Sequence, residues 1–154
     1  MRRVQRVKRT RRGDFELRLP EQERTILRSL PGQLRELLGG GDSSLLRLFP
    51  PAYPEDPELD TEYHRLVRDD LMGQKQAAVE IMESTIDAKR LSEEQLEAWL
   101  GSINDLRLVL GTKLEVTEES NQDIPEDHPD VQLYALYFYL GWLQEQVVEA
   151  LSAG

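Results

Sequence analysis

Apolar residues recur along this 154-residue chain at two spacings, a short alternating stretch near the start and four longer stretches at helical period. Phe15, Leu17 and Leu19 alternate with Glu16 and Arg18, the period of a half-buried strand. Gly13-Asp14 before them is a turn signal, and Val4 to Lys8 could supply the partner of a β-hairpin. Val4 and Val7 break strict alternation, so that pairing requires a bulge. A disordered basic arm is the alternative.

Pro20 then opens a helix, with Glu21 and Glu23 in its first turn. Its stripe is Ile26, Leu27, Leu30, Leu34, Leu37 and Leu38. Pro31 inside that stripe predicts a kink or two shorter helices. After the glycines at 39–41 comes a proline-punctuated connector, in which Leu45, Leu46, Leu48, Phe49 and Tyr53 would pin the loop to the core. The spacing of Tyr63, Leu66, Val67, Leu71, Ala78, Ile81 and Met82 predicts a long helix from about Asp60 to Ile86. Ser92 and Gln95 bracket a capping box that starts the next helix, whose stripe is Leu96, Trp99, Leu100, Ile103, Leu106, Leu110 and Leu114. An acidic irregular loop follows, and Pro129 and Asp130 launch a last helix to about Leu151. The pattern predicts a mainly α fold, a four-helix-type bundle with an N-terminal basic β-hairpin or arm. It reads as one domain over residues 1–154, with the ribbon or arm in 1–20 and the helical body in 21–154.

The last helix is too hydrophobic for one buried face. Tyr134, Tyr137, Phe138 and Trp142 stand among Leu133, Leu136, Leu140 and Leu143. Either the helix is central, packed on several sides, or these aromatics contribute to a partner surface, with a homodimer as the expectation.

Charge changes the picture more than composition does. The net charge is −10, yet Arg2, Arg3, Arg6, Lys8, Arg9, Arg11 and Arg12 put seven cations and no acid in the first twelve residues. The other twelve basic residues face all 29 acids across the remainder. Beyond a Debye length of about 8 Å the two poles act separately, so an anionic partner meets the basic end locally. Arginine forks suit phosphate or an acidic protein. Gln5 is nearly alone in offering an amide to base edges, and no aromatic interleaves the run for stacking on single strands. The competing reading pairs these cations with the acidic body.

Little points to a reaction. There are two histidines, His64 and His128, no cysteine, and none of the phosphate-loop, zinc-protease or nucleophile-elbow patterns. The acidic stretches lack the glycine and register of a calcium loop. No enzyme activity, cofactor, metal or small-molecule substrate is expected. Arg107 lies on the apolar side of its helix beside Asn104, which calls for a carboxylate, and Asp69 or Asp70 on the long helix is the expected partner in a buried polar network. No apolar run reaches the ~18 residues of a membrane span. A cytoplasmic, unprocessed protein is the expectation.

The stretches "LFPPAYPEDPE", "YHRLVRDDLMGQK", "AWLGSINDLRLVLGTKLEVTEE" and "YLGWLQEQVVEAL" carry a resemblance to a known family. The chain resembles an actinobacterial family long called only a domain of unknown function and associated with the oxidative-stress transcription regulator AosR. That resemblance implies a cytoplasmic, non-enzymatic regulator working through DNA or the transcription machinery, for which a sigma factor is the implied partner. An adaptor or scaffold linked to Clp proteolysis or sulfur metabolism, without nucleic-acid binding, is the alternative. The family's redox sensing is attributed to cysteines; with none in this sequence, a thiol–disulfide switch has no residue to act on.

Overall fold

The computed structural model describes residues 4–40, 55–114 and 126–153, with the side chains of residues 39, 40, 60 and 63–69 outside the described set. The elements are β1 (Val7–Arg9), β2 (Phe15–Leu17), α1 (Glu21–Gly40), α2 (Pro57–Ser84), β3 (Arg90–Leu91), α3 (Glu93–Lys113) and α4 (Val131–Ser152). The fold is mainly α, as the periodicity predicts. The connector expected to pin Leu45, Leu46, Leu48, Phe49 and Tyr53 lies outside the described residues.

The hairpin forms, shifted from the expected start. Val7 opposes Leu17, Lys8 opposes Glu16 and Arg9 opposes Phe15, while Val4 remains 52% exposed. Its turn closes through Thr10 N–H to Asp14 O at 2.9 Å, with Gly13 at φ +90°, a conformation that favours glycine. β2 also pairs antiparallel with β3, which the sequence analysis does not foresee, because two residues carry no period.

Local signals set the helix boundaries. Asp56 caps α2 by accepting from Leu59 N–H at 3.1 Å, and Pro57 follows it at the position proline tolerates. At α3 the Ser92–Gln95 box is complete in both directions. α1 runs as one helix through Pro31, with Leu27, Leu30, Leu34 and Leu38 buried on either side. Ile26, expected on its inner stripe, is 43% exposed, and Arg24 is buried instead. The Arg24 guanidinium donates to Ile86 O (2.8 Å) and Ala88 O (3.1 Å), tying α1 to the segment that leads into β3.

α3 is the most enclosed helix, packed between α2 and α4 and touching α1. It buries Leu96, Trp99, Ile103, Leu106, Val109 and Leu110. The Trp99 indole N–H donates to Thr85 Oγ1 at 2.7 Å, and that hydroxyl donates in turn to Ile81 O. α2 turns Val79 and Met82 inward, with Ile81 only half-buried, so its inner face sits slightly off the stripe expected from the sequence.

Candidate functional site

The sheet has two chemically distinct faces. Val7, Phe15, Leu17 and Leu91 point into the core. Lys8, Glu16 and Arg90 stand opposite one another across the three strands and therefore share the outer face, about 4.8 Å apart at the backbone. Glu16 accepts from Arg18 Nε at 3.0 Å. Arg90, with 53% of its side chain exposed, reaches Asp14 only at 3.7 Å. Arg11 and Arg12 project from the exposed hairpin turn, where Arg12 N–H donates to Thr10 Oγ1. Lys8, Arg11 and Arg12 make no ion pair with any carboxylate among the described residues.

Two other cations of the basic run face inward. Arg6 donates to Glu23 from Nε (3.0 and 3.1 Å) and Nη2 (2.7 Å), and lies 5.2 Å from the Trp142 ring centroid. Tyr139 O–H donates to the same carboxylate at 2.7 Å. Burial pushes the Glu23 carboxyl up, but the hydrogen bonds from Arg6 and Tyr139 outweigh it and hold the group below its ordinary value. Burial, reinforced by Glu23, pushes the Tyr139 phenol well above its usual range. Arg9 donates to Leu151 O (3.1 Å) and Ala150 O (3.4 Å), capping the carbonyl end of α4 where the helix dipole favours a cation. Its guanidinium also lies 4.7 Å from the Phe15 ring centroid. Arg2 and Arg3 lie outside the described residues.

The segment that leads into β1 is held by one side chain of α4. The Gln146 amide accepts from Arg6 N–H at 2.8 Å and donates to Val4 O at 3.2 Å. Beyond it opens a shallow groove of about 530 Å³, lined in part by Val4, Val7, Ala150 and Ser152.

The expected polar network divides. Arg107 lies 5.0 Å from the Tyr137 ring centroid, and Asn104 accepts from Gln144 Nε2 at 3.1 Å. Asp70 is exposed, and the Asp69 side chain lies outside the described set. The ion pair seen between α2 and α3 joins Lys75 to Asp105 at 3.0 Å. Burial raises the Asp105 carboxyl, against the opposing hydrogen bond from Lys75. Of the aromatics expected at an interface, Tyr134 donates to Leu114 O at the end of α3 (3.1 Å) and Trp142 lies under Arg6. Phe138 meets Tyr137 edge to face, with centroids 5.5 Å apart. All four are half-buried, and α4 packs on α3 and β1.

Sequence reasoning misses Arg90, Glu23, Gln146, Lys75 and Asp105. The strand register that carries Arg90 to the outer face is set over 70 residues away in the chain, and only the pairing reveals it. No three His, Asp or Glu side chains converge as a metal site would among the described residues. None of their helices is long and apolar enough to cross a membrane.

The oxidative stress regulator AosR of Mycobacterium tuberculosis is 29% identical to this chain over 128 residues, 72% of this chain and 59% of that protein. The AosR of Mycobacterium bovis matches to the same extent. The chain thus spans about three-fifths of the length of these relatives. No solved structure matches it. The model of one family covers residues 1–151, nearly the full sequence, and the chain belongs to that family, the domain of unknown function DUF2017.

Proposed function

We propose that this protein is a non-enzymatic regulatory binding protein of the oxidative-stress type, acting in transcription through DNA or transcription-machinery contacts. Its relatives carry the name of oxidative stress regulator. The observation that carries the reading at residue level is the sorting of the basic run by the sheet. Arg6 and Arg9 hold the ribbon to the body, while Lys8, Arg11 and Arg12 are exposed and make no ion pair among the described residues. The acidic body repels an anionic partner, which would therefore meet the chain locally, at this cationic face. The sequence holds no cysteine, so oxidation of a thiol in this chain is not part of the proposed switch.

Deletion of the gene in its native host, followed by transcript profiling with and without peroxide, tests the reading. A set of transcripts whose peroxide response is lost, and is restored by complementation, is the expected result. Unchanged transcripts with altered half-lives of individual proteins would replace it with the adaptor reading.

A further inference from the structure

The β1–β2 ladder decides which main-chain groups of β1 are left for another chain. Arg18 N–H donates to Arg6 O (2.7 Å) and Thr10 N–H to Asp14 O (2.9 Å), which makes residues 6, 8 and 10 the bonding positions toward β2. Val7 and Arg9 lie between them and turn their N–H and C=O groups the other way, to the open edge of the three-stranded sheet. Among the described residues, no group bonds to them there. That edge looks onto the groove beside α4. The alternate residues Gln5, Val7 and Arg9 line one wall, and Ala150 and Ala153 line the other.

The charge along the edge selects what can pair with it. Side chains alternate across a strand, so Lys8 stands on the outer face and the groove lies on the inner one. Arg11 and Arg12, both exposed, continue the positive charge at the turn. A second copy is a poor partner. The antiparallel register that bonds both Val7 and Arg9 sets Lys8 directly against its own counterpart, and like charges so placed repel. On the inner side Glu149 lines the groove, so an acid placed there meets a carboxylate. The complementary occupant carries acids on one face and small apolar side chains on the other.

We infer that the open edge of β1 takes up an extended segment of a partner protein in which acidic and small apolar residues alternate, added as a fourth strand. Main-chain hydrogen bonds to Val7 and Arg9 supply affinity, and the pairing of an acid with Lys8 supplies selection. The inference rests on the regulatory reading above for the partner's role, and narrows it to one mode of protein contact.

A labelled peptide of about eight residues, alternating glutamate with valine or alanine, tests this by fluorescence anisotropy against the full chain. Binding should slow amide exchange at Val7 and Arg9 and leave Lys8, whose amide faces β2, unchanged. An all-glutamate peptide of the same length carries more charge yet should bind more weakly. Lys8→Glu should weaken binding of the alternating peptide about five-fold and strengthen that of a counterpart with lysine in place of glutamate. A damaged fold does not produce such a reversal.

No binding, binding without slower exchange at Val7 and Arg9, or tighter binding of the all-glutamate peptide would each overturn the inference. The last two would assign the face to charge alone, which a duplex satisfies as well as a protein. A dimer in sedimentation that the peptide dissociates would also overturn it, giving the edge to a second copy. Peptide binding with unchanged transcripts would keep the edge site and remove its regulatory role. Transcript changes with no peptide binding would overturn the edge site and leave the regulatory reading standing.

Discussion

Arg107 of α3 and Tyr137 of α4 each lie across a glycine of the other helix and meet one another between the two. The guanidinium stands 5.0 Å from the ring centroid. A Cβ on Gly111 would come within 3.1 Å of Tyr137 Cε2, and one on Gly141 within 3.1 Å of Arg107 Nε. Both glycines permit the close crossing, but their neighbours differ in freedom. The ring is held against Phe138, whereas the arginine stem is flexible.

Alanine at either position gains about 1 kcal/mol of helix propensity. At Gly141 a small rotation of Arg107 relieves the contact, so Gly141→Ala is expected to leave stability within about 1 kcal/mol of the starting protein. At Gly111 the ring must shift, and overpacking of about 1–3 kcal/mol offsets the propensity gain. Denaturant unfolding should therefore rank Gly111→Ala as the less stable of the two. The opposite order would mean that Arg107, not Tyr137, is the fixed member of the pair.

The indole of Trp99 is buried, and its N–H depends on Thr85 Oγ1. Thr85→Val keeps the shape and removes the acceptor. An unpaired buried donor costs about 1–3 kcal/mol, and Thr85→Val is expected to lose that much. Thr85→Ser, which keeps the oxygen, should recover most of it. A loss in Thr85→Ser as large as that in Thr85→Val would show that keeping the oxygen is not enough to hold the indole.

Glu23 and Asp105 depend on pH with opposite signs. Glu23 is held low, so its stabilisation is present above its unfolded pKa and is lost as pH falls through the lower folded value. Asp105 is raised by burial, so its contribution is greatest below its unfolded pKa and is lost as pH rises through the higher folded value. Glu23→Gln should flatten the acid side of the stability profile and remove a charged hydrogen-bonded partner of Arg6, at a cost of about 1.5–3 kcal/mol near neutrality. Lys75→Met should push the Asp105 carboxyl still higher, as read by carboxyl chemical shifts. A downward move would show that burial is not what sets it.

Local features of the fold are legible in the letters, and distant ones are not. The capping box at Ser92 and Gln95 spans four residues and appears as read. The α3 stripe is legible because apolar residues at helical spacing all face inward from one enclosed helix. On α2 the inner face includes Lys75, which pairs with Asp105; a charged residue breaks the apolar pattern, and the true face becomes visible only in the α2–α3 pairing. The basic run is legible as charge but not as direction. Arg6 and Arg9 look like Lys8 and Arg11 in sequence, and only Glu23 and the last carbonyls of α4 separate them.

Gln146 links the fold to the proposed contact. Its amide bonds the backbone of the segment just before β1, and without it Arg6 N–H and Val4 O lose these partners. Gln146→Leu fills a similar volume on α4, where Val147 and Leu143 already form the core, so global unfolding should shift little while β1 opens locally. Hydrogen exchange is expected to quicken at residues 6–9 and to stay near its starting rate in α3. Because Lys8 sits on β1, the same variant should weaken binding of the alternating peptide, although the substituted side chain lies on the far side of the strand from the cationic row. Faster exchange with undiminished peptide binding would detach the ribbon's order from its contact. Weaker binding and faster exchange together would make the amide of α4 the support on which the outward cations depend.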